Sequence, residues 1–243
     1  MAPLLTVENV TKEFSGIVAN KDVNFEINEG EIVSLIGPNG AGKTTMFSMI
    51  AGALSPSSGS IVFNGEEISK KQAFEICHLG IARTFQVVRV LKQMTVLENV
   101  IVGALSRTNS VKIARGEAEN ILKVTGLYLK KDYLGKNLTL ADMKRLEVAK
   151  ALATKPKLLL LDEVMAGLTP VETNEAVELL REIHGMGITL FIVEHVMEAI
   201  MPVSDRIIVL DAGKKIAEGS PEEVVNDERV IKAYLGDRYH ARS

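Results

Sequence analysis

A single cysteine, Cys77, stands in a chain of 243 residues, so no disulfide can close within it. That usage fits a reducing compartment such as the cytosol. Cys77 sits in a helical pattern and is expected to be a small buried hydrophobe. No run reaches 18 apolar residues, so no segment is expected to span a bilayer, and work at a membrane would need a partner that does. The chain opens without a long apolar stretch and is acidic by Glu8, so no signal peptide is expected. Neither sign of charge is in excess. A net charge of −3 offers no general attraction to nucleic acid or anionic lipid. Internal repeats and low-complexity tracts are also missing, which excludes solenoids and linkers. What remains is 47% apolar and 24% charged, a globular balance with material for a sizeable core.

One segment then dominates. Gly37-Pro38-Asn39-Gly40-Ala41-Gly42-Lys43-Thr44 fills every fixed position of the phosphate-binding pattern G-x-x-x-x-G-K-[ST]. A short buried-strand pattern, Glu31–Ile36, precedes it, and a helical one runs from Thr44 through Thr45 to Ala51. Glycines let the backbone curl so that successive N–H groups converge on one anion, and the helix adds the positive end of its dipole. Lys43 supplies a point charge for the outer phosphates of ATP. The Thr44 hydroxyl supplies a hard oxygen for Mg²⁺.

Around this segment strands and helices alternate. Leu4–Val10 and Asp22–Ile27 alternate with a period of two, and Ser60–Phe63 ends in an Asn64-Gly65 turn. Residues 70–79 read as helix and Ile81–Phe85 as extended. Helical patterns follow near 95–106, 115–126 and 140–153. Lys157–Asp162 is apolar throughout, as a central parallel strand requires. Thr169-Pro170-Val171-Glu172 opens a helix with a capping box. Ile188–Val193 is another buried strand, and Asp205–Leu210 and Lys214–Glu218 flank a tight turn. A helical block over roughly 75–152 therefore interrupts an α/β unit.

Other candidate residues lie where strands end. Asp162 and Glu163 close the apolar strand. They suit Mg²⁺ binding and proton abstraction from water, or are two charges ending a strand. His195 follows the strand at Ile188–Val193 and could touch a terminal phosphate or serve structure alone. His78, His184 and His240 lack such a setting. Gln86 offers an amide that could bind metal or position water, or be solvated. Phe14 precedes Ser15-Gly16 and could stack on adenine or belong to the core.

Taken in order, Phe14, the glycine-rich loop, Gln86, the helical block, Asp162-Glu163 and His195 resemble the ATP-binding subunits of ABC transporters over nearly the whole chain. The resemblance implies one ABC ATPase domain over 1–243. Residues 1–74 and 153–243 would form a P-loop core with a parallel sheet and an N-terminal antiparallel β subdomain, and 75–152 an inserted α-helical subdomain. It implies that Phe14 packs on adenine, Gln86 links Mg²⁺ to the permease, Glu163 is the catalytic base and His195 senses the γ-phosphate. Gly80–Gln86, Thr95–Val100, Ala166–Pro170 and Glu194–Glu198 are similar to the branch that imports branched-chain amino acids, with urea or small amides as related cargo. Lipopolysaccharide-export ATPases are cousins. A soluble ABC ATPase acting on ribosomes or DNA, or a non-catalytic regulator, are the other readings. A slightly acidic single cassette and an intact Glu163 speak against them.

Two departures from the family pattern stand out. The signature L-S-G-G-Q aligns with Leu138-Thr139-Leu140-Ala141-Asp142, which lacks both glycines and the glutamine. Thr169 takes the place of the usual aspartate after the catalytic strand. A second ATPase subunit of different sequence is the expected partner, more so than a second copy. Transmembrane permease subunits are expected too, and, indirectly, a solute-binding protein outside the membrane. The expected location is the inner face of the cell membrane, and no nucleic-acid partner is expected.

Overall fold

A computed structural model describes residues 2–235. In chain order the elements are β1 (Leu5–Phe14), β2 (Ile17–Ile27), β3 (Ile32–Ile36), α1 (Lys43–Ile50), β4 (Ser58–Phe63), β5 (Glu66–Glu67), α2 (Ala73–Leu79) and β6 (Ile81–Arg83). There follow α3 (Val96–Ala104), α4 (Val111–Val124), α5 (Leu140–Leu152), β7 (Leu158–Asp162), α6 (Pro170–Gly185), β8 (Thr189–Val193), α7 (Met197–Ile200), β9 (Arg206–Asp211), β10 (Lys214–Gly219), α8 (Pro221–Val225) and α9 (Glu228–Leu235). They form an α/β cassette with an antiparallel sheet from the N-terminal strands and a mixed, mainly parallel sheet.

The described residues divide into two compact units, 2–73 with 191–235, and Phe74–Leu190. The unit holding the helical block thus runs past residue 152 and takes in β7 and α6.

In the first unit, β2, β1, β4 and β5 form the antiparallel sheet in that order. β1 and β2 are longer than their alternation suggests. Register shifts at Val7/Val10, Val10/Lys12 and Lys12/Glu13, with Asn9 and Asp22 at positive φ, break the period of two beyond Val10. Strands β10 and β9 pair antiparallel, and β9 pairs parallel with β3. Every residue of β3 is buried. Phe191 packs its ring 5.6 Å from Phe25 and 4.9 Å from Phe47, joining β-sheet and α1 in one core.

In the second unit, β6 pairs parallel with β7, with Arg83 opposite Leu160. All of β7 is buried, and each buried leucine contributes about 1.5–3 kcal/mol relative to an exposed one. The helical core gathers Val96, Val100, Ala114, Leu122, Leu146 and Ala149 among its buried residues. Gly103 lets α3 lie close on α5, since a Cβ there would meet the Lys150 carbonyl at 2.6 Å. Cys77 is half-buried rather than enclosed: it lies on short α2, where only Ile76 is buried.

Candidate functional site

The glycine-rich loop lies between β3 and α1. Gly37 has φ 149°, and a Cβ on it would lie 2.0 Å from the Leu210 carbonyl oxygen, so no other residue fits. Gly42 is left-handed at φ 97°, and a Cβ there would meet the Ala19 carbonyl oxygen at 2.4 Å. The loop curls around Lys43, which is only 6% exposed. Its Nζ donates to the Gly37 carbonyl at 2.7 Å and to the Pro38 carbonyl at 3.0 Å. No side chain caps α1. Its first amides therefore point out of the loop with the helix dipole behind them, a setting for phosphate. Asn39, Gly40 and Thr44 are exposed, Pro38 and Thr45 half-buried and Ala41 buried. The hairpin turn supports the loop: Gly213 donates its N–H to the Ala41 carbonyl at 3.2 Å.

Three further residues of this unit bear on the site. Phe14 ends β1 with its ring 40% exposed and the Lys12 ammonium 5.1 Å from its centroid. His195 is exposed just after β8, and its N–H donates to the Glu194 carboxylate at 3.2 Å. Sequence patterning did not single out Tyr234. This α9 residue makes a hydrogen bond with the Gly37 backbone, while burial raises the phenol pKa against the lowering effect of that bond. His240 lies outside the described residues.

The second unit brings together Gln86, Asp162 and Glu163. Strand β6 leads into Thr84, Phe85 and Gln86 beside the end of β7. Thr84 fixes the pair of strand ends, since its N–H donates to the Leu160 carbonyl at 2.9 Å and its Oγ1 accepts from the Asp162 N–H at 3.0 Å. Gln86 Nε2 donates to Glu163 Oε2 at 2.7 Å. Glu163 has φ 50°, a strained setting for a side-chain-bearing residue. Lys144 holds it there, its Nζ donating to the Glu163 carbonyl at 2.7 Å. The Asp162 carboxylate is buried, with Oδ2 on Arg83 at 2.7 Å and, among the described residues, no hydrogen-bond partner on Oδ1. An unpaired carboxylate oxygen at a strand end is a fitting ligand for a hard cation. In the first unit, the exposed Thr44 hydroxyl at the start of α1 is another hard oxygen of the kind that Mg²⁺ takes from proteins when phosphates complete its shell.

Helix α5 ties these parts together. Thr139 is its N-cap, and its hydroxyl accepts from the Asp142 N–H at 3.2 Å. Asp142 is buried and paired with Lys130 at 2.6 Å, so its negative charge is offset. Leu138 points into the helical core, whereas Leu140 is 48% exposed. One turn on, Lys144 holds Glu163. Glu147 accepts the Arg89 N–H at 2.9 Å, and Lys150 donates to the Arg89 carbonyl at 2.5 Å. The loop after Gln86 is thus anchored to the signature helix. It leaves Phe85, Val87 and Leu91 exposed, while Val88 and Val90 are half-buried. Thr169 caps α6 in a full capping box with Glu172.

Residues 20–166 match the sequence family described as ABC transporter. The chain belongs to the ATP-binding subunits of ABC transporters. Residues 214–240 match a second model, described as Branched-chain amino acid ATP-binding cassette transporter. The Escherichia coli K12 protein called high-affinity branched-chain amino acid transport ATP-binding protein LivG is 39% identical, across 97% of this chain and 98% of its own length. The Haemophilus influenzae lipopolysaccharide export system ATP-binding protein LptB is 34% identical, across 97% of this chain and 98% of its own. A nucleotide-free ATP-binding cassette from an ABC transporter superposes with a TM-score of 0.89 at 31% identity, covering 97% of this chain and all of that one. An ABC cassette of this kind binds ATP and hydrolyses it to drive transport. It works with membrane-spanning permease subunits and as one of a pair of cassettes. Among the described residues no helix is long and apolar enough to cross a membrane.

Proposed function

We propose that this cassette powers import of branched-chain amino acids from the inner face of the cell membrane. The observation that carries the reading is the match of residues 214–240 to the branched-chain family. The greater similarity to LivG than to LptB supports import over lipopolysaccharide export.

The geometry of each unit is compatible with the following roles, which the family resemblance suggests. The loop amides and Lys43 bind the phosphates, and Phe14 offers its exposed ring to adenine. Thr44 of the first unit and Asp162 and Gln86 of the second are the residues that would offer oxygen to Mg²⁺. When bound, Mg²⁺ neutralises charge on the transferred phosphoryl group. Glu163 accepts the proton of the water that attacks the γ-phosphorus as the bond to the ADP oxygen breaks. His195 contacts the γ-phosphate. Leu138–Asp142 faces the nucleotide of the second cassette. Leu140 adds bulk where a glycine backbone would approach that phosphate, so the second cassette is a different subunit with its own signature. Phe85, Val87 and Leu91 form the permease contact, and an external binding protein delivers the solute to that permease.

Uptake of radiolabelled leucine by cells with and without the gene tests the cargo. Loss of leucine uptake, competed by isoleucine and valine but not by urea, is expected. Undiminished leucine uptake with loss of urea uptake would replace the reading by the small-amide one.

A further inference from the structure

The segment from β6 to Gln86 holds both carboxylates at the end of β7. Gln86 takes Glu163, and Arg83, three residues earlier, takes Asp162. The second contact is the more enclosed one. The Arg83 and Asp162 side chains are 11% and 1% exposed, and Nη2 lies 2.7 Å from Oδ2. A buried carboxylate is costly unless a cation or donors compensate it. Arg83 supplies that compensation through one oxygen only, and Oδ1 has no partner among the described residues. Neither group is free to slip. Arg83 sits in register opposite Leu160, and Thr84 pins the backbone of both Leu160 and Asp162. The Arg83 guanidinium carbon also lies 5.7 Å from the centroid of the Phe85 ring.

We propose that Arg83 sets the Mg²⁺ response of the nucleotide site. It aligns Asp162 through Oδ2, leaves Oδ1 for the cation, and opposes the cation's arrival with its own positive charge. Asp162 is therefore held correctly turned while its affinity for a bare divalent ion is kept low. Mg²⁺ then enters with the nucleotide phosphates rather than ahead of them. Arg83 acts through Asp162 and is a positioning residue. The inference rests on the reading of Asp162 as a Mg²⁺ ligand.

The test titrates Mg²⁺ into the full chain with a fluorescent ADP analogue and reads the midpoint of nucleotide binding. Arg83→Gln keeps a donor and removes the like charge, so it lowers the midpoint about three- to tenfold. Arg83→Lys keeps the charge and stays within about twofold. Asp162→Asn raises the midpoint about tenfold or more, and adding Arg83→Gln to it changes nothing further. An unchanged or raised midpoint in Arg83→Gln, with Asp162→Asn behaving as expected, overturns the role of Arg83. An unmoved midpoint in Asp162→Asn overturns the ligand reading itself. If Arg83→Gln does not fold, Arg83→Tyr, whose phenol donates a neutral hydrogen bond, carries the same expectation and the same overturning result.

Discussion

Gln86 Nε2 donates to Glu163 Oε2 at 2.7 Å, so the proposed base is already engaged by the segment that leads to the exposed side chains of Val87 and Leu91. A displacement of Gln86 would therefore change the aim of the Glu163 carboxylate. Gln86→Ala should leave nucleotide affinity within about threefold, because Gln86 is at most one of several ligands. It should bring the ratio of permease-stimulated to basal turnover close to one. Phosphate release with and without the permease in liposomes measures that ratio, and an unaltered ratio would count against the link.

Tyr234 joins the C-terminal helix to Gly37 through one hydrogen bond. Tyr234→Phe removes it, at a net cost of about 0.5–1.5 kcal/mol. The melting temperature should fall by roughly 2–4 °C per kcal/mol for a chain of this size. Saturating ATP should restore part of the loss by binding the folded loop. Burial raises the phenol pKa and the Gly37 bond lowers it, so the stability gained by burying the neutral phenol is present below the ordinary tyrosine pKa and lost as pH rises past the folded value. Equal melting curves for the two proteins at pH 7 would remove Tyr234 from the account.

Acid should act through the helix caps. Glu98, Glu172 and Glu223 have pKa values lowered first by the backbone N–H of Thr95, Thr169 and Ser220, and next by the hydroxyls of the same residues. A folded pKa below the unfolded one gives stability that is present above the ordinary value and lost as pH falls through the folded value. Stability should hold from pH 8 to 6 and decline below about pH 4.5. The triple Glu→Gln variant should decline less between pH 6 and 4 in chemical denaturation. A slope as steep as that of the parent would show that other carboxyls dominate.

Much of this architecture was legible in the sequence, because its signals were local. The loop pattern needed only spacing, β7 only its unbroken leucines, and α6 only Thr169-Pro170-Val171-Glu172. β1 and β2 were under-read because bulges break alternation. Helix α8 is missing from the sequence reading although Ser220-Pro221-Glu222-Glu223 carries a capping box as plain as that of α6. Arg83, Lys144 and Tyr234 were not legible at all. Each acts across sequence separations that periodicity does not report, such as Arg83 to Asp162, 79 residues apart. Asn20 is similar: it is fully buried beneath Gly42 with neither amide atom partnered, and nothing near it in sequence marks it.

The altered signature predicts unequal sites. The Lys130–Asp142 pair offsets the aspartate charge, so the bulk of Leu140 is the principal defect. The chain alone should hydrolyse ATP slowly, and adding the second cassette should raise turnover. Leu140→Gly with Ala141→Gly should raise the turnover of the chain alone. Phosphate release measured for all three decides. A chain that alone matches the mixed complex, and gains nothing from the glycines, would contradict a mixed pair.

The most direct measurement is ATP turnover of the Glu163→Gln variant in the assembled transporter. The amide keeps the shape and the contact with Gln86 but cannot take the proton. Binding of ATP should persist, and hydrolysis should drop on the order of 10²–10⁴-fold. ATP should then hold the paired cassettes together through size exclusion. Hydrolysis by Glu163→Gln at the parent rate would contradict the account at its centre.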